Sequence, residues 1–391
     1  MQKPTMRAIR QEALGGPEVL REVEVERPEP GLSQILVRVR AAGVNPSDWA
    51  HRAFRVFLGE PPFTLGWDVS GVVESVGFGV TLFKPGDEVF GMLPYPFGVG
   101  SHAEYAVGPA RAFVIKPASI DHVTAGALPL AALTAWQALN DTAHLQAGQR
   151  VLIHAAAGGV GHLAVQIAKA SGAYVIGTAS ERNHDLVRSL GADEVIDYTA
   201  TDFTAAASDI DVVLDPIAGD YSARSLRVLR KGGILVSLLP FAPEIPGEAA
   251  GLGVRAEVML VEYDHQGMTV IADLVTRGKL RPVIAATFPL ADAAKAHVRG
   301  ETGHVAGKIV LTMPLKPKLK FKSVYPERSR GSCSQARRAQ RTWRSGRWTS
   351  RSARSGRPSP ATSPTAWRSR SPAGTTRSPS SMTAQPVLRP R

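Results

Sequence analysis

The run His154-Ala155-Ala156-Ala157-Gly158-Gly159-Val160-Gly161 carries the clearest chemistry in the chain. It lies between a short apolar stretch, Arg150 to His154, and a stretch with apolar residues at helical spacing, Val160 to Ser171. Against the pattern Gly-x-Gly-x-x-Gly the matching positions are Ala156, Gly158 and Gly161. Without a Cβ, Gly158 lets the backbone approach a pyrophosphate, and Gly161 lets the helix lie close to the strand. The amides of Gly159, Val160 and Gly161 open the helix, where free N–H groups and the dipole favour an anion. Alanine at the first position departs from the strict pattern, and the strand–turn–helix context restores it. The plainer alternative is a tight turn with no ligand. The expectation is a dinucleotide.

The end of the next strand selects the dinucleotide. A site for NAD puts a carboxylate there, to take the ribose hydroxyls. Here the position falls near Thr178, followed by Ala179-Ser180-Glu181-Arg182-Asn183, and no carboxylate ends the strand. Ser180 offers a hydroxyl and Arg182 a guanidinium, both suited to a 2′-phosphate. Glu181 should point elsewhere on the first helical turn. NADP(H) is the expected cofactor. Ser180 as a helix cap is compatible with that; Arg182 as a solvated helix charge is the competing reading.

The elements around this turn fall into three zones. Residues 1–125 are strand-like with dense Gly and Pro punctuation, as in Gln34 to Arg40, Val69 to Val76 and Asp87 to Phe90. That style predicts a small β-barrel or sandwich. Residues 126–264 alternate strands and helices: strands Tyr174 to Thr178, Glu194 to Asp197, Ile210 to Asp215 and Ile234 to Leu238; helices Glu181 to Leu190 and Tyr221 to Leu229. That rhythm predicts an α/β doubly wound parallel sheet. Residues 265–313, with helices near Met268 to Arg277 and Asp292 to Val298 and a strand Lys308 to Thr312, should return to the first zone and complete it.

Composition bounds the rest. The chain has 391 residues and a net charge of +12. From Pro314 onward there are nineteen basic residues and one acid, Glu327, so the tail is +18 and the body −6. A nucleic-acid-binding body therefore loses its support. Residues 314–391, rich in Arg, Ser and Pro, have no apolar periodicity and read as disordered. Arg without Lys beyond Arg328 fits an out-of-frame translation of GC-rich DNA; a genuine Arg/Ser interaction tail and a cloning artefact are the alternatives. No apolar run is long enough for a membrane-spanning helix, and the first ten residues lack a signal-peptide core. The single cysteine, Cys333, excludes a disulfide framework and a cysteine-rich zinc site. A cytoplasmic setting is expected.

Further segments carry a resemblance: Ala42-Gly43-Val44-Asn45-Pro46-Ser47-Asp48, Gly66-Trp67-Asp68-Val69-Ser70-Gly71, Phe83-Lys84-Pro85-Gly86-Asp87, Leu133-Thr134-Ala135-Trp136, Leu190-Gly191-Ala192-Asp193 and Gly307-Lys308-Ile309-Val310-Leu311. With the Gly turn, they make residues 6–313 similar to the zinc-independent quinone oxidoreductases of the medium-chain dehydrogenase/reductase superfamily. The resemblance implies a GroES-like β-barrel catalytic domain, a Rossmann cofactor domain and an active site in the cleft between them. It also implies a homodimer through the cofactor-domain sheet edge, for which Ile234 to Leu239 could serve. Zinc-dependent relatives place Cys and His where this chain has Asn45 and Trp67, so no metal is expected.

Without a metal, an acceptor that is already electrophilic is favoured, such as a quinone or an α,β-unsaturated carbonyl. Asn45 could bond the substrate oxygen, hold the nicotinamide ribose, or satisfy loop backbone. Asp48 could orient Asn45, relay a proton, or cap a turn. Asp68 reads as structural within the barrel. Tyr95 lies on a loop that relatives use to cover the cleft, as proton donor or wall. The resemblance puts Thr134 near the nicotinamide ribose. Tyr198 could stack on adenine or reach the 2′-phosphate, and Lys308 could contact the nicotinamide side; simple packing or surface charge competes with each. His154 reads as packing, while His51, His102 and His265 have no assignment. Two other function classes stand beside this one: nucleic-acid binding through the tail, and a catalytically silent NADPH-sensing scaffold.

Overall fold

The computed structural model describes residues 3–313. The expectations for the tail, disorder and nucleic-acid binding, lie outside the described residues.

Six parallel strands form the sheet that carries the Gly turn. Their spatial order is Glu194–Asp197, Tyr174–Ala179, Arg150–Ile153, Ile210–Asp215, Leu229–Ser237, Arg255–Val258. In chain order that is 3-2-1-4-5-6, the doubly wound arrangement with its switch point beside Arg150–Ile153. Both faces of the central strands are covered, so those strands are largely apolar. Val151 and Ile153 enter one core cluster and Leu152, between them, enters the other.

A seven-stranded mixed sheet forms the second body of structure. Gln34–Val44 is its spine, flanked by Asp68–Val76 and Lys308–Thr312, with Ile284–Pro289, Glu88–Met92, Phe113–Ile115 and Tyr105–Pro109 completing it. The late strand Lys308–Thr312 pairs antiparallel with residues 41–44 of the spine, and this pairing brings Lys308 beside Asn45. A three-stranded sheet of Arg21–Glu26, Thr5–Gln11 and Phe63–Thr64 lies at one side. The α/β class, with a GroES-like part and a Rossmann-type parallel sheet, is the architecture read from the sequence.

The differences have local causes. The helix expected over Glu181 to Leu190 is a tight turn Glu181–Asn183 followed by a helix His184–Ser189. Polar side chains hold the break: Asn183 Nδ2 donates to Ser180 Oγ, and the His184 ring bonds the Ala179 carbonyl. The helix expected to reach Leu229 is Asp220–Leu226, and Leu229 already begins a strand. The dimer-edge assignment is corrected too. Leu229–Ser237 is interior, because Arg255–Val258 pairs outside it and is the outermost strand. A helix, Pro46–Ala53, also stands in the zone read as strands. Proline at its first turn and Asp48, whose Oδ2 accepts the Asn45 amide N–H at 2.7 Å, start it.

Candidate active site

The Gly turn is built as its residue types demand. A Cβ on Gly161 would lie 2.2 Å from the Ala155 carbonyl oxygen, so only glycine lets the helix Gly161–Ala170 begin there. The turn is braced from below by Thr178, whose hydroxyl receives the Ala155 amide at 3.2 Å and whose carbonyl receives the Ala156 amide at 2.9 Å. His154 packs beneath it, bonded to Ser225 Oγ at 2.9 Å and edge-on to Phe203. Burial pushes the His154 ring down to about 4, so it is neutral.

Two cavities flank the turn. One, of about 340 Å³, is walled by Gly158, Thr178, Ser180, Arg182, Asn183, Tyr198, Tyr221 and His304. The other, of about 390 Å³, is walled by Asn45, Trp49, Leu130, Gly159, Val160, Gly161, Gly307 and Lys308. Ala155, Gly158, Gly303 and Val305 line both, so the cavities adjoin across the turn. The first presents the Ser180 hydroxyl and the Arg182 guanidinium. The guanidinium of Arg182 has no hydrogen bond or ion pair with any described residue, and no carboxylate lines the wall. Asp197, at the end of the adjacent strand, spends one oxygen on the Thr199 amide and hydroxyl.

At the second cavity the polar groups form one buried cluster. Asn45 Nδ2 donates to Asp68 Oδ2 at 2.9 Å, and Lys308 Nζ donates to Asn45 Oδ1. Asp68 Oδ1 accepts the Leu130 amide at 2.6 Å, and Lys308 Nζ lies 3.7 Å from Asp68 Oδ2. Asp48 sits behind Asn45. Burial pushes its carboxyl up to about 8 against the opposing bond from the Asn45 amide, and the charge of Asp68 adds to the rise. Burial draws the Lys308 ammonium below its ordinary value, while Asp68 and Asp48 oppose that. The cluster therefore sets a carboxyl that burial drives towards its protonated form beside the Lys308–Asp68 pair.

Of the residues singled out from the sequence, Asn45, Gly158, Gly159, Val160, Gly161, Thr178, Ser180, Arg182, Tyr198 and Lys308 line the two cavities. Four do not. Asp48 is fully buried behind Asn45. Ala156 is buried under the turn. Thr134 spends its hydroxyl on the Leu130 carbonyl at 2.7 Å, one helical turn back. Tyr95 packs its ring against Trp67 at 5.1 Å, Phe57 at 6.3 Å and His51 at 6.2 Å. Burial raises its phenol, and the charge of Asp48 adds to that. Asp68, read as structural, bonds the barrel to Leu130 and also bonds Asn45. Gly300, Gly303, His304, Val305, Tyr221 and Trp49 also line the cavities, and no motif marks them in the sequence.

Among the described residues no three His, Cys, Asp or Glu side chains stand together as metal ligands. Zinc takes thiolate, imidazole or carboxylate donors. Asn45 and Trp67 supply none of these, and the Trp67 indole N–H is bonded to the Pro96 carbonyl at 3.2 Å.

The fold and the site define a dehydrogenase with a GroES-like part and a Rossmann-type parallel sheet. Residues 31–118 match the alcohol dehydrogenase GroES-like domain, and residues 190–311 match a family described as zinc-binding dehydrogenase. The chain is 36% identical over 325 residues to mouse NAD(P)H oxidoreductase RTN4IP1, mitochondrial, covering 72% of this chain and 82% of that one. It is 35% identical to the chloroplastic quinone-oxidoreductase QR1 of Triphysaria versicolor, covering 78% of this chain and 98% of the relative. The quinone oxidoreductase of Coxiella burnetii superposes with a TM-score of 0.75 at 37% identity, over 80% of this chain and all of the other. The Escherichia coli quinone oxidoreductase solved with NADPH gives 0.72 at 29% identity, over 79% of this chain and all of that one. The chain belongs to the quinone oxidoreductases of the medium-chain dehydrogenase/reductase superfamily. It is an oxidoreductase that uses a nicotinamide cofactor.

Proposed function

We propose that this protein is an NADPH-dependent, zinc-independent reductase of quinones or α,β-unsaturated carbonyls. The observation that carries the reading is the pair of adjoining cavities on the Gly turn, with an arginine that has no partner among the described residues at one end and a buried Asn45–Asp68–Lys308 cluster at the other.

Ser180 and Arg182 would take the 2′-phosphate, Tyr198 would flank the adenine end, and the amides of Gly159 to Gly161 would take pyrophosphate. Thr178 and Ala156 would shape that turn, with Thr134 and Lys308 behind the nicotinamide end. When bound, the cofactor would supply a hydride with its electron pair to the acceptor carbon. The charge would then fall on the conjugated carbonyl oxygen, and a proton would complete the product. Asn45 would donate to that oxygen, and hydrogen bonding suffices because the anion is delocalised. Asp48, which holds its proton at neutral pH, would be the proton source behind Asn45. Tyr95, also protonated, would be the second candidate donor.

The metal-free reading is supported by the donor set: Asn45 is bonded at both ends of its amide and Trp67 is not a ligand. A homodimer through the outermost strand Arg255–Val258 and a cytoplasmic setting complete the proposal. The test is NADPH oxidation at 340 nm with a quinone, an alkenal, a cyclic enone and a saturated ketone, with NADH and a chelator as controls. Chelator-insensitive turnover of the first three, faster with NADPH, is expected. Turnover of the ketone alone would overturn the reading.

A further inference from the structure

Asn45 stands between two partners that settle which way its amide points. Lys308 Nζ donates its N–H to the atom it meets, so that atom is Oδ1. Asp68 accepts at both oxygens, from Leu130 N–H at 2.6 Å and from Asn45 at 2.9 Å, so the atom facing it must be Nδ2. Orientation thus follows from chemistry as well as from shape. One Nδ2 proton goes to Asp68. The other has no acceptor among the described residues, and Asn45 lines the cavity. The ammonium of Lys308 is turned inward, towards Asn45 Oδ1, the Val44 carbonyl at 3.5 Å and Asp68 at 3.7 Å.

Room for this arrangement is written into the chain. A Cβ on Gly43 would lie 2.2 Å from Asp68 Oδ2 and 2.8 Å from the Gly126 carbonyl. Glycine at 43 admits the carboxylate to the place where it meets Asn45.

We infer that Asp68 and Lys308 are positioning residues that lock the Asn45 amide as a donor site, so that the cavity accepts a carbonyl or phenolate oxygen there. This rests on the proposed reduction. Both act through Asn45: Asp68 does not line the cavity, and Lys308 Nζ is turned onto Asn45 Oδ1. A cation on Oδ1 also polarises the amide and strengthens its remaining N–H. Acceptors whose reduced oxygen carries the most localised anion should depend on it most.

The test uses Lys308→Met, Asp68→Asn and the double variant, which removes the charged pair together. Wild type and variants are compared for NADPH affinity by fluorescence, for kcat and KM on a quinone and an enone, and for the side-chain amide signals of Asn45 by NMR with 15N-asparagine. The expected result is a loss of about 10²-fold in kcat, larger for the enone than for the quinone, with NADPH affinity falling by less than kcat. The double variant, with no unpaired charge left inside, should fold and still show the loss. Its Asn45 amide protons should shift and exchange faster than those of the wild type. If the double variant recovers full kcat on the enone, the pair only balances charge and the inference falls. It falls also if the Asn45 amide signals are unmoved in all three variants. A wild type that reduces no acceptor, with the amide signals moving as expected, overturns the proposed reaction and leaves the locking of Asn45 standing.

Discussion

Replacing Asp48 with Asn should stabilise the protein, and more so as pH rises. Asp48 is fully buried, one oxygen takes the Asn45 amide at 2.7 Å, and Oδ1 has no partner among the described residues. Burial lifts its carboxyl from 3.8 to about 8. Between those values the folded protein keeps a proton that the unfolded chain has released. The stability this group contributes is complete below 3.8 and is lost as pH rises towards 8. The slope is about 1.4 kcal/mol per pH unit, so from pH 5 to 7.5 the loss is about 3 kcal/mol. Asparagine has the same shape and no charge, and its carbonyl oxygen can take the same amide N–H. The gap between variant and wild type should therefore widen by about 3 kcal/mol over that range, or about 5 °C in Tm for a folded body of this size. Scanning calorimetry of the full chain at pH 5, 6, 7 and 7.5 measures it. Parallel Tm curves would refute the reasoning, because Asp48 would then be charged in the fold at ordinary pH.

Three further outcomes follow from the geometry. Arg182→Ala should weaken NADPH binding by about 10- to 100-fold and leave NADH binding unchanged, as removal of a phosphate partner does; equal effects on both cofactors, read by fluorescence titration, would remove Arg182 from the phosphate site. Gly161→Ala should cost about 1–3 kcal/mol and weaken cofactor binding, since its Cβ would meet the Ala155 carbonyl oxygen at 2.2 Å; an unchanged Tm would contradict the close approach. Acid should destabilise the wild type from pH 6.5 downward. Burial holds His102, His154 and His162 near 4 and His297 near 2, against an ordinary 6.5. The unfolded chain takes up those protons first, so stability present above 6.5 is lost as pH falls, by up to about 3 kcal/mol per ring at pH 4. Four such rings outweigh the opposite slope of Asp48, and a Tm that rises from pH 6.5 to 5 would contradict this.

The parallel sheet was legible because its strands are buried on both faces and its turns are marked by glycine. The first cavity was legible for the same reason: Gly158 to Gly161 and Ser180 to Arg182 lie within a few residues of a strand end. The second cavity was legible only in part. Asn45 and Asp48 sit in one segment, and Asn45-Pro46-Ser47-Asp48 holds a helix start that strand-like surroundings concealed. Asp68 and Lys308 come from strands 23 and 263 residues away from Asn45, joined through the Gln34–Val44 spine. No spacing rule links such residues, because their meeting depends on sheet pairing. The walls at Trp49, Tyr221, Gly300 and Gly303 to Val305 have no local signature either, and the edge strand Arg255–Val258 is too short and too polar to announce itself.

The most direct measurement is the fate of deuterium from NADPH labelled at the nicotinamide C4, with an enone as acceptor and the product read by mass spectrometry and NMR. One deuterium on the β-carbon, a proton from solvent on the α-carbon, and no effect of chelator are predicted. Deuterium on the carbonyl carbon, or product whose β-hydrogen comes from solvent, would contradict hydride delivery to a conjugated acceptor at this site.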